Sequence, residues 1–144
     1  MMAYLNKIAK DYTAFCYDQV PRELEYLSPS HNIVSDLDKI RQGEYDLIVS
    51  LDCGSLDYSG ISEEIVELRQ RGVRLVNIDH HLSAYGDINI VDTRASATAV
   101  ILYELFKVWQ VEVDRNMATS LLAGVLVDTG SYSNSGTTTL AMEI

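Results

Sequence analysis

Basic residues are scarce in this chain. Lys and Arg number 11 against 21 Asp and Glu, which leaves a formal net charge of −10. So acidic a chain does not bind a long polyanion unaided, because basic side chains supply most nucleic-acid affinity. A small anion captured through metal ions stays compatible, since bound cations invert the local field. Cysteine is sparse too. Cys16 and Cys53 are the two present and fit no zinc spacing, so a reducing, cytoplasmic setting is expected. No apolar run approaches the roughly 20 residues of a membrane span, and no signal peptide is visible, so no membrane partner is expected. Repeats, low-complexity tracts and obvious linkers are also lacking. What is there suffices for one domain: 144 residues with 47% hydrophobic content can bury a core.

The segments alternate between strand and helix patterns. Tyr4 to Lys10 has helical character, and Tyr12 to Tyr17 is rich in β-formers. Pro21 opens a short helix through Tyr26, and Ser35 caps another through Arg41, with Asp38 in its first turn. Tyr45 to Leu51 and Val73 to Ile78 are apolar runs of strand length, and Asp87 to Val91 is a shorter one. Ser62 starts a helix that stops near Gly72. Ser96 to Trp109 is amphipathic, and Asp114 caps a helix running toward Val127. Strands alternating with helices predict an α/β fold with a parallel sheet flanked by helices.

Chemistry concentrates where these runs end. Asp79-His80-His81 closes one strand, Asp52-Cys53-Gly54 closes another, and Asp128-Thr129-Gly130 follows the apolar stretch Leu121 to Val127. Loops at the carboxyl ends of a parallel sheet converge on one crevice, so Asp52, His80 and Asp128 are expected to cluster at one rim. Carboxylate and imidazole together suit a divalent ion. Each has a plainer reading: a His pair is often solvated, Asp52 suits an Asx-turn, and Asp128 suits a turn before Gly130. Arg94 is the nearest cation to the triplet in sequence and suits either a phosphate or a neighbouring acid. Ser131, Ser133 and Ser135 could donate to phosphate or simply form a polar loop. Cys53 is a weak ligand candidate. Leu102, Leu105, Phe106 and Trp109 fit a core better than a base-stacking platform.

Four ordered motifs carry a resemblance. Asp52-Cys53-Gly54, Asn77-Ile78-Asp79-His80-His81, Ala95-Ser96-Ala97-Thr98 and Gly124 to Gly130 are similar, in order and separation, to the later motifs of the DHH phosphoesterase superfamily. The similarity is greatest to the bacterial oligoribonucleases that are also phosphoadenosine-phosphate phosphatases. The resemblance implies two bound Mn²⁺ ions, with Mg²⁺ a substitute, and water-driven hydrolysis of a phosphoester. Ions spaced roughly 3.5–4 Å apart stabilise both oxygens of an in-line displacement. It further implies Asp52, His80 and Asp128 as metal ligands, His81 as a catalytic residue on the phosphate, and Asp79 as the acid that orients an imidazole. Arg94 is the companion substrate-binding candidate.

The departures shape the expectation. The family's first motif, a His with paired Asp before the first helix, has no counterpart here, and His31 in the Ser28–Asn32 loop cannot replace it. Residues 1–144 are therefore expected to be a partial DHH catalytic domain, without the first motif and the C-terminal substrate-binding domain. Weak binding of a single Mn²⁺ and impaired activity for this chain alone follow. The expected substrate is short RNA or a small nucleotide such as phosphoadenosine phosphate or a linear dinucleotide. Alternatives are a cyclic-dinucleotide phosphodiesterase, a RecJ-like exonuclease, an inorganic pyrophosphatase, or a non-catalytic α/β binding or regulatory remnant. An open sheet edge would favour a homodimer.

Overall fold

Helices and strands alternate along the chain. Helix α1 spans Met2–Lys7, strand β1 Ala14–Phe15, strand β2 Ile33–Val34, helix α2 Leu37–Gln42 and strand β3 Leu47–Leu51. Helix α3 follows at Ser62–Gln70, then strands β4 (Arg74–Asp79) and β5 (Ile88–Val91), and helices α4 (Thr98–Val108) and α5 (Arg115–Asp128). This computed structural model describes residues 1–28 and 30–144; Pro29, within the loop expected around His31, lies outside the described residues. The fold is α/β, with parallel strands flanked by helices.

The apolar run before the histidine pair becomes the middle strand of the larger sheet, in the order β3-β4-β5. Both neighbours run parallel to β4, with Leu51 opposite Ile78 and Val91 opposite Asp79. Leu75, Asn77, Ile78 and Asp79 are buried, so the strand continues one residue past the apolar run and carries Asp79 inside. Parallel strands usually need a long crossover. Here residues 80–87 return without a helix, because Ile88 pairs with Val76 and the chain retreats only partway along β4. Gly86 makes that path possible. A Cβ there would lie 2.7 Å from Ile88 O and 2.9 Å from Asn77 N, both backbone atoms that cannot move aside.

Helix α4 lies against β4 and α5 against α4. Their shared core contains Ile78, Ile101, Leu102, Phe106, Met117 and Leu121. Tyr4 of α1 seals it, its ring 5.4 Å from that of Phe106 and stacked 5.5 Å from Trp109. Leu102 and Phe106 are thus core residues, as their helical spacing suggests, whereas Leu105 is only partly buried and Trp109 is 44% exposed at the end of α4.

Four local expectations are corrected. Pro21 to Tyr26 forms no α-helix but a single 3₁₀ turn, Arg22–Leu24, since so short a segment gains too few hydrogen bonds to pay for nucleation. Strand β2 was not foreseen: its two residues are too few to show a period, and it exists through parallel pairing with β1. Asp36, not Ser35, caps α2, its carboxylate accepting the Asp38 amide at 3.0 Å. Helix α4 begins at Thr98 rather than Ser96, whose hydroxyl reaches the Gly136 carbonyl and Thr138 instead. The strands also form two ladders, β1–β2 and β3–β4–β5, with no ladder joining them among the described residues.

Candidate metal centre

The rim at the carboxyl ends of β3 and β4 gathers the expected residues. Asp52 follows β3, its amide still extending the ladder to Ile78 O at 3.1 Å. Its own φ of 56° is left-handed, a conformation that Asp tolerates better than most residues. Ligand atoms of Asp52, Asp79, His80 and His81 all come within 4.8 Å of one another.

Hydrogen bonding divides these residues into two sets. Asp79 is fully buried, and its carboxylate accepts the Gly54 amide at 2.7 Å, the His81 amide at 2.8 Å and the His81 ring Nδ1 at 2.7 Å. Burial alone would raise its pKa. The hydrogen bonds from His81 and Gly54 outweigh that and hold the carboxyl below the usual range. So many donors leave Asp79 little capacity for an ion; it anchors His81 and the Cys53-Gly54 turn. Because a carboxylate only accepts, the His81 Nδ1 carries the proton and its Nε2 faces away from Asp79.

His80 is held differently. Its Nδ1 lies 3.3 Å from the Ala95 carbonyl, which can only accept, so that nitrogen carries a proton and Nε2 is the atom turned toward the acids. That Nε2 sits 3.4 Å from Asp52 Oδ1 and 3.9 Å from Asp128 Oδ2. Asp128 is the last residue of α5, not the end of a strand. A carboxylate at a helix C-terminus meets the negative end of the dipole. Burial and the nearby charge of Asp52 both raise its pKa, against a smaller opposing pull from His80 and His81.

Two carboxylates, one of them at a helix C-terminus, thus lie within 3.4 and 3.9 Å of one imidazole nitrogen, with Asp128 standing outside the tighter group of Asp52, Asp79, His80 and His81. That donor set fits a divalent cation of the hard or borderline kind. Arg94, Cys53 and Ser133 are engaged elsewhere. Arg94 is 89% exposed in its side chain and engages Asp92 twice, at 3.0 and 3.1 Å. The Cys53 thiol donates to Ser55 O at 3.0 Å, and Ser133 donates to Gly130 O. His31 is exposed in the 3₁₀ turn Ser30–Asn32. Sequence reasoning gave no roles to Ala95 and Thr98, which touch His80 and Asp52; their position inside a recognised motif was the available signal.

A parallel α/β domain with carboxylates and imidazoles gathered at the strand ends defines a candidate divalent-metal centre. Residues 1–125 match the DHH family, N-terminal domain, and the chain belongs to that family. It is 30% identical over 120 residues to the bifunctional oligoribonuclease and PAP phosphatase NrnA of Thermus thermophilus, covering 82% of this chain and 34% of that protein. The Bacillus subtilis protein of the same name is 29% identical over 115 residues, covering 76% of this chain and 36% of the relative. The chain therefore spans about a third of the length of these curated relatives. An exopolyphosphatase-related protein from Bacteroides fragilis shares the fold, with a TM-score of 0.82 at 20% identity over 94% of this chain and 42% of its own. No helix among the described residues is long and apolar enough to cross a membrane.

Proposed function

We propose that this chain supplies part of the catalytic centre of a metal-dependent phosphoesterase acting on short oligoribonucleotides or small nucleotides such as phosphoadenosine phosphate. The observation that carries the reading is the approach of Asp52 and Asp128 to the Nε2 of His80. The names of the NrnA relatives support the substrate class. Asp52, His80 and Asp128 would hold Mn²⁺, or Mg²⁺ in its place. The bound ion would lower the pKa of water and offset charge on the phosphoryl group. His81 would offer Nε2 to the phosphate, with Asp79 keeping the proton on Nδ1 so that the ring stays in one tautomer. Arg94 would have to exchange Asp92 for phosphate, so His81 is the stronger phosphate contact. Free Cys16 and Cys53 support a cytoplasmic setting. Leu47, Val49 and Leu51 are exposed on β3, and among the described residues its ladder has only β4; that supports self-association as a homodimer.

The test is calorimetric titration of Mn²⁺ into the chain, paired with hydrolysis of a short oligoribonucleotide and of phosphoadenosine phosphate. One weak site is expected, lost in Asp52→Ala and His80→Ala. Any Mn²⁺-dependent turnover should fall on the order of 100-fold or more in either variant and vanish with chelator. Absence of Mn²⁺ binding, or turnover untouched by chelator, would refute the proposal.

A further inference from the structure

The motif Ala95-Ser96-Ala97-Thr98 contributes more to the site than the start of a helix. Thr98 is 4% exposed and is the first residue of α4. Its Oγ1 lies 2.8 Å from Asp52 Oδ1 and 3.2 Å from the His80 amide nitrogen. Chemistry dictates both directions. A backbone N–H only donates and a carboxylate only accepts, so the hydroxyl must accept from His80 and give its single proton to Asp52.

The consequence reaches both candidate ligands. Asp52 stands on a left-handed turn with its side chain partly exposed, and among the described residues none of its own loop hydrogen-bonds the carboxylate to hold one rotamer. The Thr98 hydroxyl selects it. Oδ1 accepts from the hydroxyl and is the same oxygen that lies 3.4 Å from His80 Nε2, while Oδ2 has no hydrogen-bond partner among the described residues. The same oxygen fixes the backbone that carries His80, whose ring is oriented in turn by Ala95 O. Thr98 is itself packed in place, since Ala97, Val100 and Ile101 around it are buried in the cores. A rigid helix therefore presets the spacing between a carboxylate and an imidazole on two different strand ends.

We infer that Thr98 is a positioning residue for the metal centre, its hydroxyl joining Asp52 and His80 into one preformed pair. The inference rests on the reading of Asp52 and His80 as metal ligands. Groups that orient ligands in this way typically change metal affinity roughly 10- to 100-fold when removed. Thr98→Val keeps the shape and deletes the hydroxyl; Thr98→Ser keeps the hydroxyl and deletes a methyl.

The experiment titrates Mn²⁺ into the unsubstituted chain, Asp52→Ala, Thr98→Val and Thr98→Ser by calorimetry, with circular dichroism to verify folding. It also follows hydrogen exchange of the His80 amide without metal. Thr98→Val should weaken Mn²⁺ about tenfold or more and speed His80 exchange, while Thr98→Ser should stay within about threefold of the parent in affinity. A merely structural role would not be rescued by serine. If Asp52→Ala abolishes binding and Thr98→Val leaves it unchanged, this inference fails and the metal reading stands. If the unsubstituted chain binds no Mn²⁺, both fall. Should Thr98→Val not fold, rapid His80 exchange in the unsubstituted protein, or Thr98→Ser binding as weakly as Asp52→Ala, is enough to overturn it.

Discussion

At the scale of single residues, the triplet Asp79-His80-His81 divides its labour by burial. Asp79 is inside, saturated by N–H donors, while the His81 side chain is 55% exposed and that of His80 only 19%. Asp79→Asn keeps the size but turns one acceptor into a donor that must face an N–H. The expected loss is about 2 kcal/mol of stability, measured by urea denaturation, because a buried polar group is left unsatisfied. Loosening of the His81 ring should accompany it, seen as changed imidazole shifts by NMR. Asp128 predicts the opposite sign. It sits at the C-terminus of α5 near another carboxylate, so Asp128→Asn should raise metal-free stability by roughly 0.5 kcal/mol. The same variant should lose Mn²⁺ binding. Acids crowded together without a counter-ion predict that pairing, a stabilised apoprotein that no longer binds the ion.

At the scale of elements, the two long helices use different entrances. Helix α5 has a side-chain cap: Asp114 accepts the Met117 amide at 2.9 Å. Asp114→Ala should cost about 1 kcal/mol, read from a shifted urea midpoint at unchanged slope. Helix α4 has no such cap, since Ala97 precedes it. Its first residue gives its hydroxyl to Asp52 rather than to its own backbone. The helix is held instead by packing of Val100, Ile101, Leu102 and Phe106, which is ample for a buried helix. Local helix signals are therefore plain at Asp114 and misleading at Ser96, whose hydroxyl is spent on the segment around Thr138.

At the scale of the whole molecule, charged contacts between elements make stability depend on pH. Glu64 of α3 is buried and lies 2.7 Å from Arg41 of α2. The backbone amide at Glu64 and then the Arg41 guanidinium hold this carboxyl below its ordinary value of 4.5. A depressed carboxyl stabilises the fold fully above that ordinary value, and the contribution is lost as pH falls through the lower folded value. Glu64→Gln should therefore lower the melting temperature at pH 7 and flatten its decline below about pH 4.5. Melting curves from pH 3 to pH 7 for the two proteins make the comparison; parallel curves would show that the pair contributes nothing.

The sequence by itself determined the α/β alternation, the main helices, the core positions of Leu102 and Phe106, and the chemical identity of the rim residues. Those features are written in periodicity and in where apolar runs stop, which are local properties. Only the tertiary structure decided how the acids differ. Asp52, Asp79 and Asp128 look alike along the chain, yet one stands partly exposed on a left-handed backbone, one is buried among donors, and one closes a helix. It also decided that Arg94 turns to Asp92 and that two short strands pair as β1 and β2. Above all it brought Thr98 to Asp52, a pair 46 residues apart in the chain. Contacts of that kind depend on how α4 packs on β4, and no local pattern of side chains records a packing distance.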